Sequence, residues 1–448
     1  MKPLLIKVGQ MLTMDPERRI LRGGALLVSG SMIEQVFTRQ ELETANLPER
    51  ETIEAGTLTA IPGFVQSHIH LCQTLFRGLA ENLDLLEWLR RYIFPLEAAH
   101  TGASIEASAR VGLAELIRSG TTTIMDMGSI HHQDALASTV EDSGIRAVLG
   151  KSMIDRNDLY PPFCEHTDDA LRSTQDLARR WHKAADGRIR YAVAPRFVLS
   201  CSDELLLGAH AIASEQPGVL FHTHASESER ELEAVIARCG MRNIEYFAHR
   251  GILDHRSRLA HCVWISHFER ELLAECGARV LHCPSANLKL GSGIADIPAF
   301  LERGIGVSLG ADGAPCNNTL DIFHEMRLGA QLQKLRHGAE SMDARTVFEL
   351  ATLGGAAAVG LSDEIGSLES GKQADLVLVD LERLWNPLHQ RDPYAAIVHS
   401  ASPENVHSVM VAGRWLYRDG SPLGADGEEL LETARNELEQ LIKRARLS

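Results

Sequence analysis

The chain has 448 residues, of which 44% are hydrophobic and 23% are charged, so it can bury a sizeable core and gross disorder is excluded. Its formal net charge of −15 argues against nucleic acid as a partner, because binding a phosphate backbone normally needs a clustered basic surface. The length fits two or three ordinary domains, or one large barrel with an attached smaller domain.

The N-terminal stretch MKPLLIKVGQMLTMDPERR contains no apolar run long enough for a signal peptide, and no later stretch approaches a membrane span. The eight cysteines are scattered without CxxC spacing, which favours free thiols in a reducing compartment. We therefore expect a cytoplasmic protein without a membrane partner.

Residues 1–57 are predicted to form short strands and turns, as in LLIKVGQMLTM and GGALLVSGSMIEQVF. Residues 364–425 are also predicted to form short strands and turns, as in GSLESGKQADLVLVDLE and VHSVMVAGRWLYRDG. We expect these two pieces to form one small β-sandwich from both chain ends. The charged and periodic segment 426–448 predicts a surface helix.

In residues 58–363, short apolar runs alternate with helical stretches. The candidate strands are LTAIPGFVQSHIH, TTTIMDM, IRAVLGKS, IRYAVAPRF, VLFHTHA, RLAHCVW, ARVLHCP and IGVSLGAD. The intervening segments, such as SIEASARVGLAELIRSG, are typical of helices that end near glycine. Eight strand–helix units predict an α/β fold, a (β/α)₈ TIM barrel whose functional residues lie at the carboxyl ends of the strands.

Metal-ligating residue types stand at the ends of these candidate strands. His68 and His70 end the first strand and, as alternate residues, point to the same side. His224 ends the fifth strand, His261 the sixth and Asp312 the eighth. Imidazoles with one carboxylate suit zinc, and a coordination position left open for water marks a catalytic site. The sequence therefore predicts a catalytic metal site at the barrel mouth.

This pattern of strand-end residues resembles the amidohydrolase superfamily across essentially the whole chain. PGFVQSHIH, AHCVW, SANLKLGSG and ADGAPCNN are similar to the branch that contains methylthioadenosine/S-adenosylhomocysteine deaminases, guanine deaminase and triazine hydrolases. The resemblance implies one divalent ion, Zn²⁺ by default with Fe²⁺ or Mn²⁺ compatible, held by His68, His70, His224 and Asp312. It also implies a homo-oligomer.

The resemblance assigns catalytic roles to Glu227, His261 and Asp312. Glu227 is the expected proton shuttle, and His261 is expected beside the activated water and the substrate. In such a mechanism Asp312 accepts a proton from water, Glu227 protonates a ring nitrogen, and His261 stabilises the developing oxyanion. The expected reaction replaces a ring amino group with oxygen and releases ammonia.

Two segments are expected to bind the substrate, and they indicate different substrate classes. FRGLAENLDLLEWLRRYIFPLEA resembles the family's substrate-covering segment, in which Trp88 matches an aromatic residue and Glu97 an acidic residue that contacts ribose in nucleoside deaminases. The fourth strand, however, ends in Pro195-Arg196-Phe197 instead of a Pro-His pair. PRFxxSCS resembles guanine deaminase, where Arg and Phe hold the purine. An amino-purine ring is common to both signatures.

We favour deamination of an adenosine-type nucleoside (5′-methylthioadenosine, S-adenosylhomocysteine, 5′-deoxyadenosine or adenosine) to the inosine analogue. Alternatives are a guanine, other oxo-purine or pterin base deaminase, and an s-triazine aminohydrolase or chlorohydrolase. Glu227 speaks against dechlorination, because chloride leaves without a proton whereas ammonia needs one. A non-catalytic relative would require the loss of a ligand or of the shuttle, and none is lost.

Three further residues have no assigned role. His222 shares the strand face of His224 but matches no family ligand, so it is expected to be a packed or supporting histidine. His282 aligns with a family histidine near the site and is also expected to support it. Lys151, near the end of the third strand, is interpreted as solvated rather than as a carbamylated lysine that bridges two metals.

Overall fold

The computed structural model describes residues 2–386, 391–423 and 427–447. The N-terminal strands are β1 Leu4–Leu12, β2 Ile20–Arg22, β3 Ala25–Ser29, β4 Met32–Phe37 and β5 Glu51–Pro62. The central strands are β6 Phe64–His70, β7 Thr121–Asp126, β8 Arg146–Met153, β9 Ile189–Pro195, β10 Leu220–Ala225, β11 Ser257–His261, β12 Arg279–His282, β13 Gly306–Leu309 and β14 Asp312–Gly313. The C-terminal strands are β15 Leu376–Val379, β16 Val406–Val411, β17 Arg414–Arg418 and β18 Ser421–Pro422.

Strands β6 to β14 form a closed parallel barrel. Successive strands pair from β6 to β13, and β14 pairs with β6, where Asp312 lies beside Ile69. β13 and β14 are two parts of the eighth strand, separated at Gly310. A Cβ on Gly310 would lie 2.5 Å from the carbonyl oxygen of His68, so the close approach that completes the ring requires glycine. The predicted (β/α)₈ barrel is confirmed.

Helices connect the barrel strands and cover the outside of the barrel. The longer ones are Gly102–Arg118, Gln133–Ser143, Thr167–Trp181, Asp203–Glu215, Glu229–Cys239, Asn243–His249, His267–Cys276 and Ile322–His337. Shorter ones include Arg39–Thr44, Leu85–Trp88, Phe94–Ala98, Pro284–Lys289, Ile297–Glu302, Ala314–Asn317, Ala344–Glu349, Gly355–Ala358 and Pro393–Ala395. Side-chain caps fix several starts: Ser266 accepts a hydrogen bond from the backbone N–H of Glu269, whose carboxylate caps Ser266 in return.

The end of the barrel where the strands begin is filled with apolar side chains. Residues from successive strands, among them Val65, Met125 and Val148, pack against the segment that follows the last barrel strand. Ala356 and Ile365 of that segment complete the cluster. Because this end is closed by hydrophobic packing, polar chemistry is confined to the opposite end, where the strands finish.

Strands from both chain ends share a second sheet in the order β18-β17-β16-β15-β5-β1-β3-β4, with β2 on β1. β5 joins the two halves, because it pairs parallel with β1 and antiparallel with β15. The expected combination of the two chain ends is thus confirmed, although the expected sandwich is one continuous hydrogen-bonded sheet. β5 extends beyond residue 57 to Pro62 and leads directly into β6.

A buried ion pair ties the sheet to the barrel. Arg146, at the start of β8, donates to both carboxylate oxygens of Asp375, at 2.8 and 3.0 Å, and each side chain is 2% exposed. Asp375 also accepts a hydrogen bond from the backbone N–H of Ala412. Such forked pairs fix orientation as well as distance, so the two units pack in one defined arrangement.

The last described helix is Gly427–Ala445, within the segment 426–448 for which the sequence predicts a surface helix. The predicted boundary at residues 425 and 426 lies outside the described residues. Among the helices of the described ranges, none combines the length and the hydropathy that crossing a membrane requires.

Candidate metal centre and substrate pocket

Five side chains converge at the carboxyl ends of the barrel strands. One donor atom from each of His68, His224, His261 and Asp312 lies within 4.8 Å of the others. His70 joins them, because its Nε2 is 3.2 Å from His224 Nε2 and 3.3 Å from Asp312 Oδ1. His68 Nε2 lies 3.3 Å from the same Asp312 oxygen. The structure therefore brings together all the residues expected to hold a metal, with His261 beside them.

The local backbone conformation directs these side chains into the cluster. Every residue of β6 is buried, and the alternation of the strand directs His68 and His70 to the same side. His261 and Asp312 have positive φ angles of 72° and 62°, a left-handed conformation that non-glycine residues seldom adopt. Such strained conformations cluster at functional sites, where the surrounding structure over-determines them.

Hydrogen bonds to Nδ1 orient two of the imidazoles. His68 Nδ1 lies 2.8 Å from Nε2 of His222, and His224 Nδ1 lies 2.7 Å from the carbonyl oxygen of Arg196. With Nδ1 engaged in this way, each ring turns its Nε2 toward the cluster. Metal-ligating histidines are typically fixed through the second ring nitrogen in this manner.

The cluster fits a divalent metal ion. The Nε2 atoms of His68 and His261 are buried without a hydrogen-bond partner, which a bound cation or its water would supply. Burial lowers the pKa of His68, His70 and His224, so these imidazoles are neutral, the form that binds metals. Burial alone would raise the pKa of Asp312, but its close contacts with His68, His261 and His70 hold this pKa well below its usual value. Neutral imidazoles around one carboxylate are the ligand types of zinc and of similar ions.

Glu227 faces the same cluster from the loop after β10. Its Oε2 lies 3.4 Å from His261 Nε2, and its Oε1 accepts a hydrogen bond of 3.4 Å from Ser292. Burial raises the pKa of Glu227 to about 7, so the carboxyl group can both hold and release a proton near neutral pH. His261 is itself oriented by Asn287, whose Oδ1 lies 2.9 Å from His261 Nδ1.

A pocket opens directly onto the cluster. Trp88, Arg196 and Phe197, three of the expected substrate-binding residues, line it together with metal-cluster residues and Glu227. Its lining also includes Gln73, Leu85, Leu89, Glu231 and Leu290. Glu97 is not among the lining residues. Its carboxylate pairs with Arg196 instead, so a direct contact between Glu97 and ribose stays a prediction.

Two residues near the site were not singled out from the sequence. Gln73 lies three positions after His70, in the turn Leu71–Phe76 at the end of β6. Asn287 belongs to the SANLKLGSG segment, a motif that indicates the family but assigns no role to this asparagine. Their proximity to motif residues was a usable signal, but neither residue type indicates a contact without the folded structure.

His222, His282 and Lys151, to which the sequence assigns no role, are all buried in the structure. His222 is buried against His68, as expected of a supporting histidine, and burial lowers its pKa well below the usual value. His282 is buried at the end of β12, and both of its ring nitrogens lack partners. The expectation of a solvated Lys151 is wrong. Its side chain is 3% exposed, because β8 is buried throughout and the ammonium pairs with Glu165 at 2.5 Å.

The chain is similar to known amidohydrolases and deaminases over most of its length. Residues 59–416 match the model of the amidohydrolase family. The chain is 36% identical over 439 residues to a 5-methylthioadenosine/S-adenosylhomocysteine deaminase of Syntrophobacter fumaroxidans, which covers 96% of this chain and 97% of the relative. It is 38% identical over 406 residues to a 5′-deoxyadenosine deaminase of Methanothermobacter thermautotrophicus, with 89% and 90% covered.

A solved structure is similar over nearly the full length. The adenosine deaminase of Xanthomonas campestris, crystallised with bound zinc, superposes with a TM-score of 0.91 at 31% sequence identity. The match covers 98% of each chain. The similarity therefore extends over the barrel and over the sheet that both chain ends build.

Proposed function

The chain belongs to the amidohydrolase family, and on that premise we propose that it deaminates the purine ring of an adenosine-type nucleoside. The products are the corresponding inosine analogue and ammonia. The enzyme is a hydrolase that acts on a C–N bond of a cyclic amidine. Candidate substrates are 5′-deoxyadenosine, 5′-methylthioadenosine, S-adenosylhomocysteine and adenosine, the classes named for its relatives.

The observation that carries this proposal is the convergence of the metal cluster with Glu227 at the floor of one pocket. In our proposal His68, His70, His224 and Asp312 hold one divalent ion, with Zn²⁺ as the resident metal. When bound, this ion supplies Lewis-acid activation of water. The remaining steps are proton transfers by side chains of the chain itself.

Asp312, ionised in the cluster, is placed to accept one proton of the attacking water. Glu227, which retains its proton near neutral pH, donates it to the ring nitrogen beside the amino-bearing carbon. The oxygen of water forms a bond to that carbon, and the C–N bond to the amino group breaks. The proton held by Asp312 leaves with ammonia, and the remaining hydroxyl proton of the adduct passes to Glu227, so both carboxyl groups are regenerated and the reaction balances. His261 orients the attacking oxygen through Nε2.

A second candidate, an oxo-purine base such as guanine, is favoured by one observation. Arg196 and Phe197 both line the pocket, as the PRF motif predicts for a purine-base site. The two candidates share the chemistry and differ in the group that the pocket accepts beside the ring.

The test is ammonia release by metal-analysed protein from a panel of adenosine derivatives, guanine, pterins and aminotriazines. The proposal expects the adenosine derivatives to give the highest kcat/KM. A free base or a triazine with a higher kcat/KM than every nucleoside would contradict it. We further propose that the protein is a homo-oligomer. We also propose that it works in a reducing cytoplasm, because the described cysteines are free thiols.

A further inference from the structure

The carboxylate of Glu97 is almost fully committed to protein groups. Arg196 donates from both terminal nitrogens, at 2.7 Å to Oε2 and 2.9 Å to Oε1, and Gln73 Nε2 donates to Oε1 at 2.7 Å. The Glu97 side chain is 2% exposed. A carboxylate offers about four acceptor positions, so these bonds leave about one. The two hydroxyls of a ribose would need two.

Arg196 and Gln73, by contrast, face the pocket. Because Gln73 directs its amide N–H at Glu97, its Oε1 is turned away from that carboxylate. This oxygen is buried and has no hydrogen-bond partner, which marks it as an acceptor that awaits a donor. Arg196 lies over the ring of Phe94, with 5.3 Å from the guanidinium carbon to the ring centroid, so its position is fixed on a second side.

Both pocket-facing groups adjoin the metal cluster. The carbonyl oxygen of Arg196 accepts hydrogen bonds from the backbone N–H and from Nδ1 of His224. A Cβ on Gly313 would lie 2.1 Å from Gln73 Oε1, and Gly313 directly follows Asp312. The reacting carbon of the substrate must lie beside that cluster. The part of the substrate that reaches these two side chains is therefore the heterocycle.

The charge of Arg196 is also matched within the protein. Its guanidinium and the carboxylate of Glu97 form a buried forked ion pair at 2.7 and 2.9 Å, so the two opposite charges offset each other. The guanidinium can still donate hydrogen bonds to the substrate. It has no unpaired positive charge that would attract a carboxylate or a phosphate. The complementary substrate group is a neutral acceptor, such as a ring nitrogen or carbonyl.

We propose that Arg196 and Gln73 bind the heterocycle of the substrate, and that Glu97 is a positioning residue that orients both without contacting ribose. The identity of the ring as adenine rests on the proposed function. The assignment of Glu97 does not, because it concerns which part of any purine substrate depends on that carboxylate.

The test compares adenosine with 2′,3′-dideoxyadenosine, which lacks both ribose hydroxyls, in the zinc-loaded wild type and in Glu97→Gln. We expect KM to rise about tenfold or more for both compounds, with little change in kcat, because the lost charge-assisted bonds hold the ring-binding groups. A ribose clamp predicts a rise for adenosine alone, and that result would overturn the inference. Glu87→Gln is the matched control, since Glu87 lies in the same segment but is 33% exposed.

Two further variants keep the test decisive if the buried charge of Arg196 prevents folding of Glu97→Gln. Gln73→Leu leaves the ion pair intact and should raise KM for both nucleosides by similar factors. Unchanged KM values would contradict the assignment of Gln73. In Glu97→Gln/Arg196→Gln, no buried charge is left unpaired, and KM should match that of Arg196→Gln alone.

Failure of the proposed function is separable from failure of this inference. If the wild type deaminates guanine but no nucleoside, the proposed substrate class is wrong. Glu97→Gln should then still raise KM for guanine about tenfold, because the ring-binding groups lose the same support. An unchanged KM for guanine would overturn the inference as well.

Discussion

The imidazole of His222 stands directly behind that of His68, with His222 Nε2 at 2.8 Å from His68 Nδ1. Both rings are fully buried, and burial lowers the pKa of each. Two neutral imidazoles share one proton across this contact, so His68 Nε2 is left pointing at Asp312. One histidine thus holds another in a metal-binding orientation, although the two residues come from different barrel strands.

This contact predicts a change in metal affinity. Replacing His222 by Phe should keep the core filled but leave His68 free to turn, and zinc affinity should fall about 10- to 100-fold. Competition with a chromophoric chelator measures the change. His267→Phe is the control, because His267 is 71% exposed and lies on the surface. An affinity equal to that of the wild type would show that His222 only fills space.

Glu227→Gln separates proton transfer from metal binding. The amide keeps the size and polarity of the side chain but cannot donate a carboxyl proton, so kcat should fall about 10²- to 10⁴-fold while metal content stays at the wild-type level. Glu229→Gln, an exposed change two residues on, should leave kcat unaltered. Full turnover by Glu227→Gln would remove this residue from the mechanism.

Asp312→Ala should impair metal retention and turnover together. Asp312 is the carboxylate of the cluster, and its loss removes both a ligand and the expected proton acceptor. Metal analysis after gel filtration and kcat on the best substrate check the two effects. Retention of one equivalent of metal with normal turnover would contradict the assignment of this residue.

Glu325 predicts a pH dependence of stability. Its buried carboxyl group accepts hydrogen bonds from Ser285 and Asn317, and so links the short helices that follow β12 and β14. Burial raises the pKa of Glu325 from 4.5 to about 7. Between these values the folded state holds a proton that the unfolded state releases. The contribution to stability is therefore complete below about pH 4.5 and is lost as the pH rises through 7.

Glu325→Gln removes this titration and keeps an acceptor for the same partners. Relative to wild type, the variant should gain stability between pH 5 and pH 8, on the order of 2 kcal/mol in the free energy of unfolding. Denaturant unfolding at both pH values measures the difference. Glu340→Gln, at an exposed position, should show no such trend. A constant difference between Glu325→Gln and wild type would exclude a buried titration at this position.

Much of the barrel and of the metal cluster could be predicted from the sequence because both follow from periodicity. Alternation along β6 sets His68 and His70 on the same side, and the carboxyl ends of parallel strands meet at one mouth. The exact residues at which strands begin and end could be predicted less well. LTAIPGFVQSHIH, predicted to be one strand, divides at Gly63 into β5 and β6. A Cβ on Gly63 would collide with Thr122, so this junction requires glycine.

Contacts between side chains that are distant in the sequence could not be predicted. Glu97 and Arg196 are separated by 99 positions, and nothing in their separate motifs indicates that they pair with each other. The prediction of a solvated Lys151 is wrong for a similar reason. A lysine at a strand end is usually solvated, and only the folded chain shows that Glu165 reaches it in a buried strand.

The central claim is that one divalent ion, held by histidines and Asp312, is required for deamination. Its most direct test is ammonia release from 5′-deoxyadenosine before metal removal, after exhaustive chelation and dialysis, and after addition of one equivalent of Zn²⁺. The account predicts that activity disappears with the metal and returns with zinc, while the far-UV circular dichroism of the stripped protein shows that it remains folded. Full activity in protein shown by metal analysis to contain no ion would contradict it.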